Sequence, residues 1–305
     1  MRVLVTGVSG YVGSILAPRL ARDGHVVCGF TRSAPRVTVA LDELFEGDAV
    51  SGRGLDRALD GVDVAYYLVH SMEAASDGAF PTLDRRAAEN FAAAARAAGV
   101  PRVVYLGGLV PREGRSSPHL DSRLEVERTL LQSGPGSLAL RASIVIGARS
   151  RSFRFLVRLI ERLPVLALPA WRANRTQPVD GRDMLEFLAR AADPSLPVGG
   201  RSWDVAGPQV VTYGELIERI AEAMVVSRPS IGLNLTVTPI ASVIAAAVAG
   251  EDPALIGPLM ESLEHDLLPR DDTAAGAFGV RLHSFEAAVE RALREWEAVE
   301  PLAAR

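Results

Sequence analysis

The chain has 305 residues, 48% of them hydrophobic, with a formal net charge of -4. All 33 basic residues are arginine. A chain without lysine has no Schiff-base chemistry, no P-loop lysine and no Tyr-x-x-x-Lys pair, and arginine, charged at any working pH, cannot take over proton transfer. The missing lysine, with the Ala- and Arg-rich runs, also fits a codon bias toward G and C. The acidic balance gives no general pull toward nucleic acid, and no helix-turn-helix or RNA-binding signature is present. A single cysteine, Cys28, excludes a disulfide framework and a thiolate cluster. The five histidines are scattered and never fall at ligand spacing, so no metal is expected. The opening apolar run, Arg2–Thr6, is too short for a signal peptide. A soluble, cytoplasmic chain, monomer or homodimer, is the expectation.

The first half alternates strands and helices. Arg2–Thr6 reads as a strand, Tyr11–Arg22 as a helix and His25–Phe30 as a strand. Val64–Val69 is a continuous apolar strand, as a sheet covered on both faces requires. A helix over Phe80–Ala98 is stopped by Gly99 and Pro101. Then come a strand at Arg102–Leu106, a helix at Ser117–Gln132 and a strand at Leu138–Arg141. This alternation predicts an α/β domain with a doubly wound parallel sheet of the Rossmann kind over residues 1–148. Beyond it, Arg149–Arg162 is a basic amphipathic helix, Asp180 caps a helix to Ala192, Ser202–Val205 is a strand and Thr212–Met224 a helix. Ile231–Pro239 is extended and Ser284–Val299 a closing helix. Residues 149–305 are expected to form a small C-terminal substrate lobe packed on the first domain. Ile240–Gly250 is apolar but sharply ended by Glu251-Asp252-Pro253, which predicts a buried helix or pocket wall and no membrane span.

The strongest motif is Thr6-Gly7-Val8-Ser9-Gly10-Tyr11-Val12-Gly13, which follows a strand and opens a helix. Gly7 permits a tight turn, Gly10 lets the backbone approach a pyrophosphate, and Gly13 brings the helix close to the strand. The amides of Tyr11 and Val12 then sit at a helix N-terminus, which favours an anion. The Gly-x-x-Gly-x-x-Gly spacing resembles that of the extended and atypical short-chain dehydrogenase/reductases. Glu46-Gly47-Asp48 resembles that group's acidic turn, whose Asp reaches the adenine amine. Leu106-Gly107-Gly108-Leu109 falls where the group places a catalytic Ser or Thr. Leu140–Gly147 resembles the strand under the nicotinamide. Asp204–Pro208 and Thr212–Leu216 resemble late segments of NmrA-like and epimerase-like members. The resemblance implies an NAD(P) cofactor over Gly7, Ser9, Gly10, Tyr11, Val12, Gly13, Asp48, Leu68, Val69, Gly107 and Ala142.

At the end of the second strand an Asp or Glu would bind a ribose 2′-hydroxyl. This chain has Thr31, Arg32 and Ser33, a guanidinium fork and hydroxyls suited to a 2′-phosphate, with Arg36 near. NADP(H) is therefore expected over NAD(H). The window that would carry Tyr-x-x-x-Lys reads His119-Leu120-Asp121-Ser122-Arg123. His119 and Arg123 share a helix face, and a histidine can carry a proton near neutrality. Three readings stand: His119 as general acid/base with Arg123 holding the ribose, a redox-sensing NADP-binding regulator acting through a protein partner, or plain helix-surface residues. His70 ends the fourth strand at the ligand-binding edge, as a cofactor or substrate contact or a buried structural histidine. Arg175 is a candidate to pair with a substrate carboxylate or phosphate, against a solvated basic face neutralised by Glu161 and Asp183. Phe153 and Trp171 are candidates for an apolar pocket wall, or for core. The expected function is hydride transfer to a small, largely apolar organic substrate.

Overall fold

The computed structural model describes residues 1–69, 80–111, 118–197, 199–233, 260 and 263–302, with the backbone alone at positions 80, 118 and 119. His70, Ser71, Ser116, Ser117 and the Ile240–Gly250 stretch lie outside the described residues. Among the described residues no helix is long and apolar enough to cross a membrane.

Six strands form in the first half: β1 (Arg2–Thr6), β2 (Val26–Thr31), β3 (Glu43–Glu46), β4 (Val64–Tyr67), β5 (Arg102–Gly108) and β6 (Leu138–Ala142). The helices between them are α1 (Tyr11–Arg22), α2 (Leu55–Leu59), α3 (Phe80–Ala97) and α4 (Pro118–Leu131). Further on come β7 (Val145–Ile146), α5 (Arg151–Arg162), β8 (Leu166–Leu168), β9 (Arg175–Thr176), β10 (Val179–Asp180), α6 (Gly181–Arg190), β11 (Ser202–Val205), β12 (Val211–Thr212), α7 (Tyr213–Ala223) and β13 (Ser230–Gly232). Helices over Thr273–Phe278 and Phe285–Glu297 follow.

The central sheet runs β11-β6-β5-β4-β1-β2-β3, and every pairing in it is parallel. This is the expected doubly wound arrangement, with the chain reversing direction between β1 and β4. Its seventh strand comes from beyond residue 148, so the sheet of the first half draws on later sequence. One face of the sheet buries Leu16, Leu20, Met184 and Phe187 from α1 and α6. The other buries Leu55, Phe91, Val126 and Leu130 from α2, α3 and α4. A third core joins α5, α7 and the last helix through Phe153, Ile160, Leu216 and Trp296.

β4 stops at Tyr67, short of the predicted Val69, because the Leu68 amide leaves the ladder for the Thr6 side chain. β3 is an edge strand with its Glu residues exposed, and Glu43 accepts both guanidinium nitrogens of Arg2 at 3.0 and 2.9 Å. Asp180 caps α6 as predicted, accepting from Arg182 N at 2.7 Å. Burial alone would raise the Asp180 carboxyl, but hydrogen bonds from the Arg182 side chain and backbone and the charge of Arg291 hold it below the usual range. Arg154 and Arg158 of α5 are neutralised, with Glu161 taking part as expected but not Asp183. Arg158 meets Glu161 at 2.9 Å and also Glu300, while Arg154 and Arg158 lie 4.3 and 5.0 Å over the Trp296 ring. Asp183 instead holds His283, accepting from its amide at 2.8 Å and lying 2.5 Å from Nδ1.

The edge of the sheet is locked by a buried charge cluster. Arg141 on β6 donates to both oxygens of Glu127 on α4, at 2.8 and 2.6 Å, and lies 3.6 Å from Asp204 on β11. Ser202 Oγ donates to Glu127 at 2.6 Å. Breaking a buried pair strands the surviving charge, at about 3–5 kcal/mol. Glu127→Ala should therefore lower unfolding free energy by about that amount, read from the urea midpoint at unchanged m-value.

Candidate functional site

The site forms at the carboxyl ends of β1 and β4, where the strand order reverses. Thr6 Oγ1 donates to Tyr66 O at 2.9 Å and accepts from Leu68 N at 3.0 Å. That bridge pins Leu68 above the glycine loop. Gly7 passes beneath it at φ 65°, and a Cβ on Gly7 would stand 2.8 Å from Leu68 O. A Cβ on Gly13 would stand 2.7 Å from Val8 Cα, so the first turn of α1 rests against the loop. The first helical bond runs from Ser14 N to Gly10 O at 2.9 Å. The amides of Tyr11, Val12 and Gly13 precede it, at the positive end of the helix, where they suit a pyrophosphate.

Around this loop a cavity of about 860 Å³ takes in Gly7, Ser9, Gly10, Tyr11, Val12 and Gly13, with Leu68 and Val69 at the end of β4. Beyond β2 it includes Thr31, Arg32, Ser33, Arg36 and Asp48. The Thr31 hydroxyl accepts from Ser33 N at 3.2 Å, so it shapes the turn. Arg32 and Arg36 are exposed and form no ion pair among the described residues. Asp48 Oδ1 accepts from Val50 N at 3.0 Å. Asn90 on α3, which sequence reasoning passed over, holds this wall by donating to Ala49 O and Val50 O at 3.1 and 2.8 Å. Its signal was a lone amide in an alanine-rich helix. The Tyr11 phenol, pushed up to about 12 by burial, packs against Gly147 and Gly181.

The cavity continues past Gly107, Gly108 and Ala142, with Leu120 and Arg123 of α4 alongside. His119 stands in the first turn of α4, and its side chain lies outside the described residues. Tyr105 shapes this stretch: its hydroxyl reaches Arg123 O at 3.5 Å, and burial pushes the phenol up. A Cβ on Gly107 would stand 2.9 Å from the Tyr105 ring, whereas one on Gly108 meets nothing nearer than Leu120 Cδ2 at 3.9 Å. Ser143, within the Leu140–Gly147 segment, lines the cavity beside Ala142. Its hydroxyl lies 3.3 Å from that of buried Thr176.

The far end of the cavity is the lobe. Trp171 lines it and meets Tyr213 edge-on, ring centroids 6.2 Å apart. Phe155, Leu156 and Leu159 of α5 line it, but Phe153 points into the lobe core and is fully buried. Arg175 stands outside the cavity. Its backbone amide and guanidinium are held by Asp266 at 2.6–2.9 Å. A pocket-wall role for Phe153 and an anion-binding role for Arg175 thus find no cavity contact.

Residues 7–130 match the NAD(P)H-binding family. The chain is 29% identical to a ceramide reductase of Caulobacter vibrioides over 54% of this chain, and spans about half (52%) of that relative's length. It is 25% identical to a 2-alkyl-3-oxoalkanoate reductase of Stenotrophomonas maltophilia, over 73% of this chain and 76% of that protein. Its fold is shared by a UDP-glucuronic acid 4-epimerase from Bacillus cereus, solved with UDP-glucuronic acid and NAD, at TM-score 0.74 and 15% identity over 98% and 100% of the two chains.

Space at the end of β5 gives a direct test. Gly107→Ser forces the Tyr105 ring to shift inside a packed core and should cost about 1–3 kcal/mol. Gly108→Ser should leave the thermal midpoint within a degree or two of wild type, measured by calorimetry.

Proposed function

We propose that the protein is an NADP(H)-dependent reductase acting on the carbonyl group of a largely apolar small molecule. The observation that carries this reading is the continuity of one cavity from the glycine loop, past Gly107, Gly108 and Ala142, into an apolar chamber. Nucleotide and substrate would then share one water-poor space, as hydride transfer needs. When bound, a reduced nicotinamide supplies the hydride: the carbonyl π bond opens, a C–H bond forms at carbon, and the oxygen takes a proton to give an alcohol and the oxidised nucleotide. The Tyr11, Val12 and Gly13 amides hold the pyrophosphate, Asp48 the adenine amine, and Arg32, Ser33 and Arg36 the 2′-phosphate. His119 is the proton donor, Arg123 holds the nicotinamide ribose, and His70 contacts the cofactor or substrate. Ceramide reductase and 2-alkyl-3-oxoalkanoate reductase among the relatives support the reaction class. The partners are a small-molecule substrate and, at most, a second copy of the chain, with no nucleic acid.

Gly107-Gly108 in place of a hydroxyl-bearing residue favours a second reading, a redox sensor that binds NADP and signals to a protein partner. The two diverge in one assay. A reductase oxidises NADPH with at least one ketone, followed by absorbance. A sensor binds NADP⁺ and NADPH with very different affinity and turns over nothing.

Arg32→Ala should weaken NADPH binding about tenfold or more by loss of a charge-assisted contact, with NADH binding unchanged, in fluorescence titrations. His119→Phe should keep NADPH affinity while lowering turnover by about 10²–10⁴, and full turnover would remove His119 from the mechanism.

A further inference from the structure

The substrate end of the cavity has a chemistry and a shape that narrow what it can hold. Phe155, Leu156 and Leu159 on α5, and Leu163 at its C-terminal cap, fall within one arc at i, i+1, i+4 and i+8. Leu166 of β8 and Leu216 of α7 face the same space. From Phe155 onward no described lining residue carries a charge. Among the described residues lining it, the only side-chain nitrogen and oxygen belong to Trp171 and Tyr213, and both atoms are buried away from the surface. A ligand in this chamber therefore meets no hydrogen-bonding side-chain atom among the described residues. The polar and charged lining of this stretch comes before Phe155, in Ser143, Ser150, Arg151 and Ser152, with Arg123 of α4.

Burying a hydroxyl or phosphate without a partner costs several kcal/mol, which rules against placing the sugar or phosphates of a ligand like that of the Bacillus cereus epimerase along the wall from Phe155 onward. The apolar face from Phe155 to Leu163 is roughly 12 Å long at 1.5 Å per helical residue. A zigzag hydrocarbon chain advances roughly 1.3 Å per C–C bond of about 1.5 Å, so about nine carbons match that wall. At the rim stand Val165 and Leu233, both lining residues that are 38% exposed, and beyond them Ile231 at 54%. An apolar chamber that ends in exposed apolar side chains fits a chain that runs its full length.

We propose that the substrate is an amphipathic ketone with an unbranched alkyl tail of about nine carbons or more, its carbonyl beside Gly108 and Ser143 and its tail along α5 toward Val165 and Leu233. This rests on the reductase reading and names its substrate class. The test is NADPH oxidation by the whole protein with methyl 3-oxoalkanoates lengthened two carbons at a time from 3-oxobutanoate to 3-oxotetradecanoate. kcat/KM should rise about fourfold per added methylene and level off once the wall is covered. A flat series with measurable turnover of the short esters overturns the tail assignment and leaves the reductase reading standing. If no ester of any length oxidises NADPH while some other ketone does, the tail assignment falls alone, and if no ketone does, the reductase reading itself fails. Displacement of bound cis-parinaric acid by decanoate reads the chamber without turnover, and no binding of the probe at micromolar concentration overturns the tail assignment by itself. Leu159→Trp, which fills the middle of the wall, should move the plateau to a shorter chain by several carbons. An unmoved plateau in a folded variant places the tail elsewhere.

Discussion

The site depends on a clamp across the switch point. One hydroxyl, Thr6 Oγ1, serves a carbonyl and an amide of β4 at once. It ends the β4 ladder, turns Leu68 over the loop and leaves room beneath for a residue with no side chain at positive φ. Gly7 fills that room. With the loop fixed, α1 starts where it must, and its free amides point toward the nucleotide end of the cavity. The turn after β2 and the Asn90-braced wall line the same cavity beyond the loop. The nucleotide site is thus mainly backbone, which is why a chain with no lysine can still build it.

The stretch of the cavity past β5 is governed by a different constraint. Arg141, Glu127, Ser202 and Asp204 form a buried polar knot that joins β6, α4 and β11. α4 carries Leu120 and Arg123 along the cavity, so the knot fixes that helix against the sheet. Such a knot contributes little net stability over an apolar core, but it permits one register of helix against strand. At the neighbouring position Tyr105 takes the room that a side chain at Gly107 would need.

What was legible in the sequence was whatever is periodic or local. The β1–loop–α1 unit and the long helices announce themselves by spacing and by capping residues such as Asp180 and Thr212. β3 gave no signal because it is an edge strand with exposed glutamates, which carry no alternation of buried and exposed residues. The Ser202–Val205 strand was readable, but not its place beside β6, since four residues do not name their partner. Phe153 and Phe155 look equivalent in sequence and are separated by about 200° of helix rotation, enough to send one to the core and the other to the cavity. Arg175 and Arg141 show the same limit for charge. Whether an arginine meets a ligand or an aspartate depends on residues far along the chain, here Asp266, Glu127 and Asp204.

The late arrival of β11 bears on how the protein is made. The chain leaves the sheet at Ala142, builds much of the lobe, and returns only at Ser202. Until then β6 is an open edge, with Leu138 and Leu140 on a strand whose outer backbone groups have no neighbour. Parallel pairing across so long an excursion closes late, because chain entropy is lost before the contacts form. During synthesis the half-made sheet thus displays the sort of bare strand on which nascent chains can stick to one another. Emergence of residues 202–205 from the ribosome ends that exposure, and it does so with the same residues that complete the Arg141 knot.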